Sequence, residues 1–223
     1  MKFFDDKHKE VHWYNRNWFF ATTILIVVIN IVLYATLGPI WQRDMLYDNT
    51  AVWEDFSIKN TLSIFCAAFA HLSWQHVLLN MLSFVVLGFY LERRYGSLCL
   101  FVLIFVFAFT APAMASHVRG NINHCGFSGV IFALYAFFFV DFVVFLVSLR
   151  KKKSLTTLII GICVAVYSYI SMSIKTIDGK MKFFGWPYDL VHNMAHYTGF
   201  LIGLLVALLF FVCAKFQLKK KEE

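Results

Sequence analysis

The sequence predicts an all-α membrane protein: a bundle of six spanning helices with one long outer loop near its start. Three observations predict it. Hydrophobic residues make up 60% of the 223 positions and charged residues only 15%, whereas soluble domains carry roughly 45–50% apolar residues. Mean hydropathy is +0.68. The apolar residues also fall in long runs near the ~20 residues that a helix needs to cross a bilayer. A soluble fold of this length and composition would leave too much apolar surface in water.

The elements follow in order. Residues 1–17 form a short charged tail. The first apolar run, 18–38, is longer than the core of a signal peptide and lacks a clear small-x-small cleavage site, so it reads as a retained span. Residues 39–73 make a long connection holding Trp41, Trp53 and Phe56, aromatics suited to the headgroup zone. Within it, Thr61–Leu72 is apolar but too short to cross, as interfacial or re-entrant segments are. Five further runs qualify as spans: 74–91, 98–116, 128–149, 155–174 and 194–213. A second longer loop, 175–193, carries Phe183, Phe184, Gly185, Trp186 and Pro187, and residues 214–223 form a basic tail. No repeat, low-complexity tract or second domain breaks the 18–213 membrane unit.

Charge orients the bundle. Fourteen of the twenty Lys and Arg fall in segments 1–17, 92–97, 150–154 and 214–223, all on one side of a six-span topology. The other side holds Arg43, Lys59, Arg119, Lys175, Lys180 and Lys182. Basic excess marks the cytoplasmic face, so both termini are expected inside, in a pattern that suits a bacterial plasma membrane. The net charge of +7 is accounted for by this topology and gives no reason to expect nucleic acid as a partner.

Five cysteines, Cys66, Cys99, Cys125, Cys163 and Cys213, show no metal-knuckle or disulfide spacing. Cys125 stands out only because it lies three residues before Ser128.

Four polar residues interrupt the apolar runs: His76, Asn80, Ser128 and His196. Hydrocarbon offers no water to satisfy such groups, so polar side chains at membrane depth are candidates for function. His76 and Asn80 share a face one turn apart near the start of the second span. Ser128 opens the fourth span and His196 the sixth. These three helices all descend from the outer face, which puts the four side chains at similar depth. Ser128 sits in Gly126-Phe127-Ser128-Gly129, where glycine permits a sharp turn and a helix start supplies backbone N–H donors. A plain serine N-cap is the alternative for that short motif. Small residues recur every four positions in Gly199, Gly203 and Ala207, and a matching stripe at spacings of four and three runs through Gly129, Ala133 and Ala136. Such stripes let membrane helices approach closely. His196 alone could be a core histidine bonded to a carbonyl. His71, His76 and His196 could instead gather round zinc, although no carboxylate in a span accompanies them at the outer face.

Taken in order, His71-x4-His76-x3-Asn80, Glu92-x3-Gly96, Gly126-Phe127-Ser128-Gly129 and His196-x2-Gly199-x3-Gly203 resemble the motifs of the rhomboid intramembrane serine proteases, over roughly residues 60–213. The resemblance implies a Ser128–His196 dyad working without an acid or a cofactor. It implies an oxyanion hole of His76, Asn80 and the Ser128 N–H, with His71 in support. Glu92 and Gly96 would brace the cytoplasmic end, and Gly199 and Gly203 the contact of spans four and six. Loop 175–193 would cap the site and the fifth span would serve as its lateral gate, admitting transmembrane segments of other proteins from the bilayer.

Two departures stand out. Leu62 and Ser63 occupy positions where many rhomboids carry a Trp-Arg pair, and Phe132 stands where the family often has a tyrosine stacked on the catalytic histidine. Phenylalanine keeps the ring, so stacking is expected to survive. Asp189, seven residues before His196, reads as a solvated loop carboxylate rather than the third member of a triad. Asp141 has no account beyond polar packing. Two rivals remain at this point: a non-catalytic rhomboid-like protein that binds membrane segments, and a small transporter using the polar lip.

Overall fold

A computed structural model describes residues 20–47, 58–119, 125–147, 155–172, 174–177, 180–183 and 194–219. These form seven helices and one two-stranded ladder: α1 (Ala21–Tyr47), α2 (Ile58–Ala67), α3 (Trp74–Tyr95), α4 (Ser97–Arg119), α5 (Ser128–Val147), α6 (Leu155–Met172), β1 (Ile174–Ile177), β2 (Lys180–Phe183) and α7 (Met194–Lys219).

Among the described residues, five helical segments are long and apolar enough to cross a membrane: Ala21–Gly38 of α1, then α3, Ser97–Ala115 of α4, α5, and Met194–Cys213 of α7. The sixth expected run, 155–174, also forms a helix, α6 (Leu155–Met172). Its apolar part among the described residues is Leu158–Ile170. α1 is broken at Gly38, whose φ of 64° lies in the left-handed region. Glycine has no Cβ to oppose that conformation, so the chain turns there and the span ends. The apolar run before His71 becomes α2, ten residues long. Part of loop 175–193 pairs as the antiparallel β1–β2 ladder, with Ile174 opposite Phe183 and Ile177 opposite Lys180, an addition to the helical bundle. Loop aromatics Trp53 and Phe56, residues 184–193 with Asp189, and the tail 1–17 lie outside the described residues. Helix α7 continues past residue 213 into the expected basic tail, ending at Lys219.

Helix α5 is the axis of the bundle. It is apolar round its whole circumference, and such a helix has to be surrounded. Every residue from Gly129 to Phe138 is buried. The outer helices turn large apolar side chains outward: Ile24, Leu25, Val28 and Val32 on α1, Leu78 and Leu82 on α3, and Leu201, Leu205 and Leu209 on α7 are all exposed. In water such a surface would be strongly unfavourable. Against lipid it is the expected boundary.

α7 packs along α5 by direct backbone approach. A methyl added to Gly199 would lie 2.3 Å from the Gly129 carbonyl oxygen, and one added to Gly203 would lie 2.1 Å from that of Ala133. The two small-residue stripes therefore interlock, with Ala136 and Ala207 fully enclosed below them. Without a hydrophobic drive between helices in lipid, this close contact is a main source of cohesion. Thr198 Oγ1 lies 3.2 Å from the Ala111 carbonyl of α4 and shares its one proton between that acceptor and the Met194 carbonyl of its own helix at 2.9 Å.

Two buried carboxylates hold the opposite end. Glu92 accepts from the N–H groups of Thr22 (2.8 Å) and Thr23 (2.9 Å), the Thr23 hydroxyl (2.6 Å) and the Ser97 hydroxyl (2.6 Å). It thereby caps the N-terminus of α1 from another helix, where a negative charge meets orphan donors and the positive end of the helix dipole. Gly96 ends α3 with a φ of 85° and donates its N–H to the Glu92 carbonyl. Asp141, fully buried on α5, accepts from Arg94 Nε at 2.8 Å, from the Tyr90 hydroxyl at 3.2 Å, and from the Tyr95 hydroxyl. This is the account the sequence lacked: Asp141 ties α5 to the end of α3.

Candidate active site

The interlocked stripes bring the tops of α5 and α7 together. His196 Nε2 lies 2.8 Å from Ser128 Oγ, a hydrogen bond between groups 68 residues apart. The serine hydroxyl is thus engaged with an imidazole, in the place where a simple N-cap would turn it to its own backbone. Phe132, one turn below Ser128 on α5, lies flat on the His196 ring at 4.3 Å between centroids and 6° between planes. The ring without a hydroxyl stacks as the sequence led us to expect, and it restricts the rotation of the imidazole.

His76 and Asn80 approach the same loop from α3. The N-cap of α3 is Ser73, whose Oγ accepts from the His76 N–H at 3.1 Å. Sequence reasoning did not single Ser73 out, although a serine just before an apolar run is the usual start signal. Gly126 has a φ of 107°, and a Cβ there would lie 2.7 Å from His76 Nε2 and 3.4 Å from Asn80 Nδ2. Both requirements, a left-handed backbone and no side chain, select glycine. The Gly126 N–H donates to the Ala67 carbonyl at 3.0 Å, so the end of α2 anchors the loop that leads into Ser128.

His71 lies beneath this loop, fully buried. Its Nδ1 is 3.2 Å from the Phe69 carbonyl oxygen, and its Nε2 is 3.0 Å from Asn80 Nδ2 and 3.4 Å from the Phe127 N–H. Burial is the main influence lowering its pKa to about 3, assisted by the nearby His76 and opposed by the bond to Phe69. His71 is therefore neutral at physiological pH. The backbone partners at Ala67, Phe69 and Phe127 carry no side-chain signal and were not readable in the sequence.

Cys125, three residues from Ser128, is half-buried, and burial pushes its thiol up to about 11. It stays protonated at neutral pH and offers no thiolate. Leu62 and Ser63 both lie on α2, and Leu62 is exposed.

The fold and this site define a class: a polytopic membrane protein with a serine hydroxyl and an imidazole in contact near one end of its central helix. The family model described as the Rhomboid domain matches residues 59–213, more than half of the chain, and the protein belongs to the rhomboid family. That family is one of intramembrane proteases that are usually serine enzymes, and it includes inactive members. Among curated proteins, none matches the chain.

Proposed function

We propose that this protein is an intramembrane serine endopeptidase that cleaves transmembrane segments of other membrane proteins, with Ser128 as nucleophile and His196 as its base. The observation that carries the reading is the 2.8 Å contact between His196 Nε2 and Ser128 Oγ. A serine hydroxyl is a weak nucleophile and needs an adjacent base. With the His196 proton on Nδ1, the hydroxyl donates to Nε2. As Oγ attacks the scissile carbonyl carbon, its proton passes to Nε2 and the carbonyl oxygen becomes an anion. His76, the Asn80 amide and the Ser128 N–H surround the position where that charge forms, and donors aimed there supply several kcal/mol of stabilisation. Collapse of the tetrahedral adduct returns the proton from Nε2 to the leaving amine. Water then repeats the sequence on the acyl-serine, releasing the acid and restoring the hydroxyl.

A helical substrate shields its carbonyls in its own hydrogen bonds, so the segment must unwind before attack. Segments weakened by Gly or Pro are the expected substrates. They enter from the bilayer between α3 and α6, beneath loop 175–193 as a cap. The enzyme lies in a bacterial plasma membrane with both termini in the cytoplasm and the dyad toward the outer face. No cofactor takes part.

The test is cleavage of a single-span reporter carrying a Gly/Pro-containing segment by the purified chain and its Ser128→Ala form. Loss of cleavage and of fluorophosphonate labelling in the variant is the expected result. Cleavage that survives the substitution rules out the nucleophile assignment, and a folded protein that never reacts with the probe points to a non-catalytic relative.

A further inference from the structure

His71 is bonded through both ring nitrogens, and its partners fix more than its own position. Nδ1 faces the Phe69 carbonyl oxygen at 3.2 Å. That atom only accepts, so Nδ1 carries the proton. On the other side, the Phe127 N–H only donates, and it points at Nε2 from 3.4 Å. Two contacts on separate chain segments thus select one tautomer of a neutral imidazole, with Nε2 bare.

The orientation of Asn80 follows. Its side-chain amide meets the bare Nε2 at 3.0 Å. Two acceptors cannot bond, so the NH2 group faces His71 and Oδ1 is turned away. One N–H is used on Nε2, leaving the second. Nδ2 lies 3.4 Å from where a Cβ on Gly126 would stand, with His76 Nε2 at 2.7 Å from the same point. The remaining donor is therefore at the rim of the pocket two residues before Ser128. Were the amide to turn over, Oδ1 would replace a donor with a lone pair beside a developing anion.

We propose that His71, held as its Nδ1–H tautomer by the Phe69 carbonyl, is the positioning residue that sets the Asn80 amide and so aims its free N–H at the substrate oxyanion. It acts through Asn80 and never touches substrate. The assignment rests on the serine protease reading above.

Two substitutions separate this role from packing. His71→Phe keeps an aromatic ring and removes the acceptor, whereas His71→Gln gives up the ring and retains an acceptor oxygen. The readout is the reaction of the full-length, detergent-purified protein with a rhodamine-tagged fluorophosphonate, whose phosphoryl oxygen occupies the oxyanion pocket. His71→Phe is expected to lower the maximal labelling rate about 10- to 100-fold, somewhat less than outright loss of an oxyanion donor, with the half-saturating probe concentration little changed. His71→Gln should recover most of that loss. In an Asn80→Ala background, His71→Phe should cost nothing further, because effects routed through one residue do not add. A Phe variant faster than the Gln variant, or an undiminished effect in the Asn80→Ala background, overturns the proposal.

The unsubstituted protein supplies a test independent of variant folding. Nitrogen chemical shifts of 15N-labelled histidine should show His71 protonated at Nδ1 and bare at Nε2, and the opposite tautomer overturns the proposal. Absence of any Ser128-dependent labelling in the unsubstituted chain is a distinct outcome, which removes the protease reading and this proposal together.

Discussion

Gly199 offers the sharpest test of how helix packing sets the chemistry. Adding one methyl there, Gly199→Ala, puts a carbon 2.3 Å from the Gly129 carbonyl oxygen. A carbon–oxygen contact needs about 3.3 Å, so α7 must withdraw from α5 by about 1 Å at this level. The neighbour is backbone inside a packed helix and cannot rotate aside. Gly129 follows Ser128 directly, and Gly199 lies one turn below His196, so the same separation reaches the dyad. The 2.8 Å contact then stretches past hydrogen-bond range. A misplacement of about 1 Å in an active site can cost on the order of 100-fold in rate, equivalent to about 2.7 kcal/mol of barrier.

Stability should fall much less than activity. Alanine regains up to about 1 kcal/mol of helix propensity over glycine, which offsets part of the lost packing. The assay pairs reporter cleavage with thermal unfolding in the same detergent. Gly88→Ala is the control. Its methyl would meet the Thr23 side chain at 2.6 Å, a group far from the dyad on the α1–α3 contact. A Gly199→Ala protein that cleaves at the original rate would show that the α5–α7 separation does not govern the dyad, and the packing argument would fail.

Three further outcomes are expected. Glu92→Gln removes the charge from a carboxylate that accepts four hydrogen bonds and turns an NH2 toward donors. With bonds to charged groups worth about 1.5–3 kcal/mol each, a net loss of at least about 3 kcal/mol should appear in SDS or thermal denaturation, and an unchanged midpoint would refute the α1 cap. Asp141→Ala leaves Arg94, Tyr90 and Tyr95 without their shared acceptor. Because Arg94 is 24% exposed, the cost should fall near or below the lower end of the ~3–5 kcal/mol seen on breaking buried pairs, with cleavage at low temperature little altered. Finally, His71 has a folded pKa of about 3 against about 6.5 unfolded, so the unfolded chain binds the extra proton. The stability held by neutral His71 is complete above about 6.5 and drains as pH falls toward about 3. His71→Gln should flatten the unfolding midpoint over that window, and an identical pH profile in the two proteins would contradict the burial of a neutral imidazole.

Much of the molecule was legible before any fold was known, because the bilayer imposes simple rules on sequence. Long apolar runs had to be helices, since no other open structure satisfies its backbone in hydrocarbon, and α1, α3, α4, α5 and α7 begin within a few residues of their runs. Polar residues that persisted in those runs pointed at the site, since each is costly without a partner. Gly199 and Gly203 announced a close helix contact through their spacing. By contrast, the β1–β2 ladder and the partners of Asp141 were not readable. Asp141 is bonded to three residues some 50 positions away, and sequence spacing carries no distance between helices.

The sequence by itself determined the membrane environment, the helical content and the chemical inventory, because hydrophobicity, helix period and side-chain type are local properties. Only the tertiary structure decided that Ser128 and His196 meet at bonding distance, that Glu92 caps a helix it does not belong to, and that the Asn80 amide meets the His71 ring. Those relations depend on packing shape and on backbone carbonyls and N–H groups, which every residue carries alike and no residue letter distinguishes.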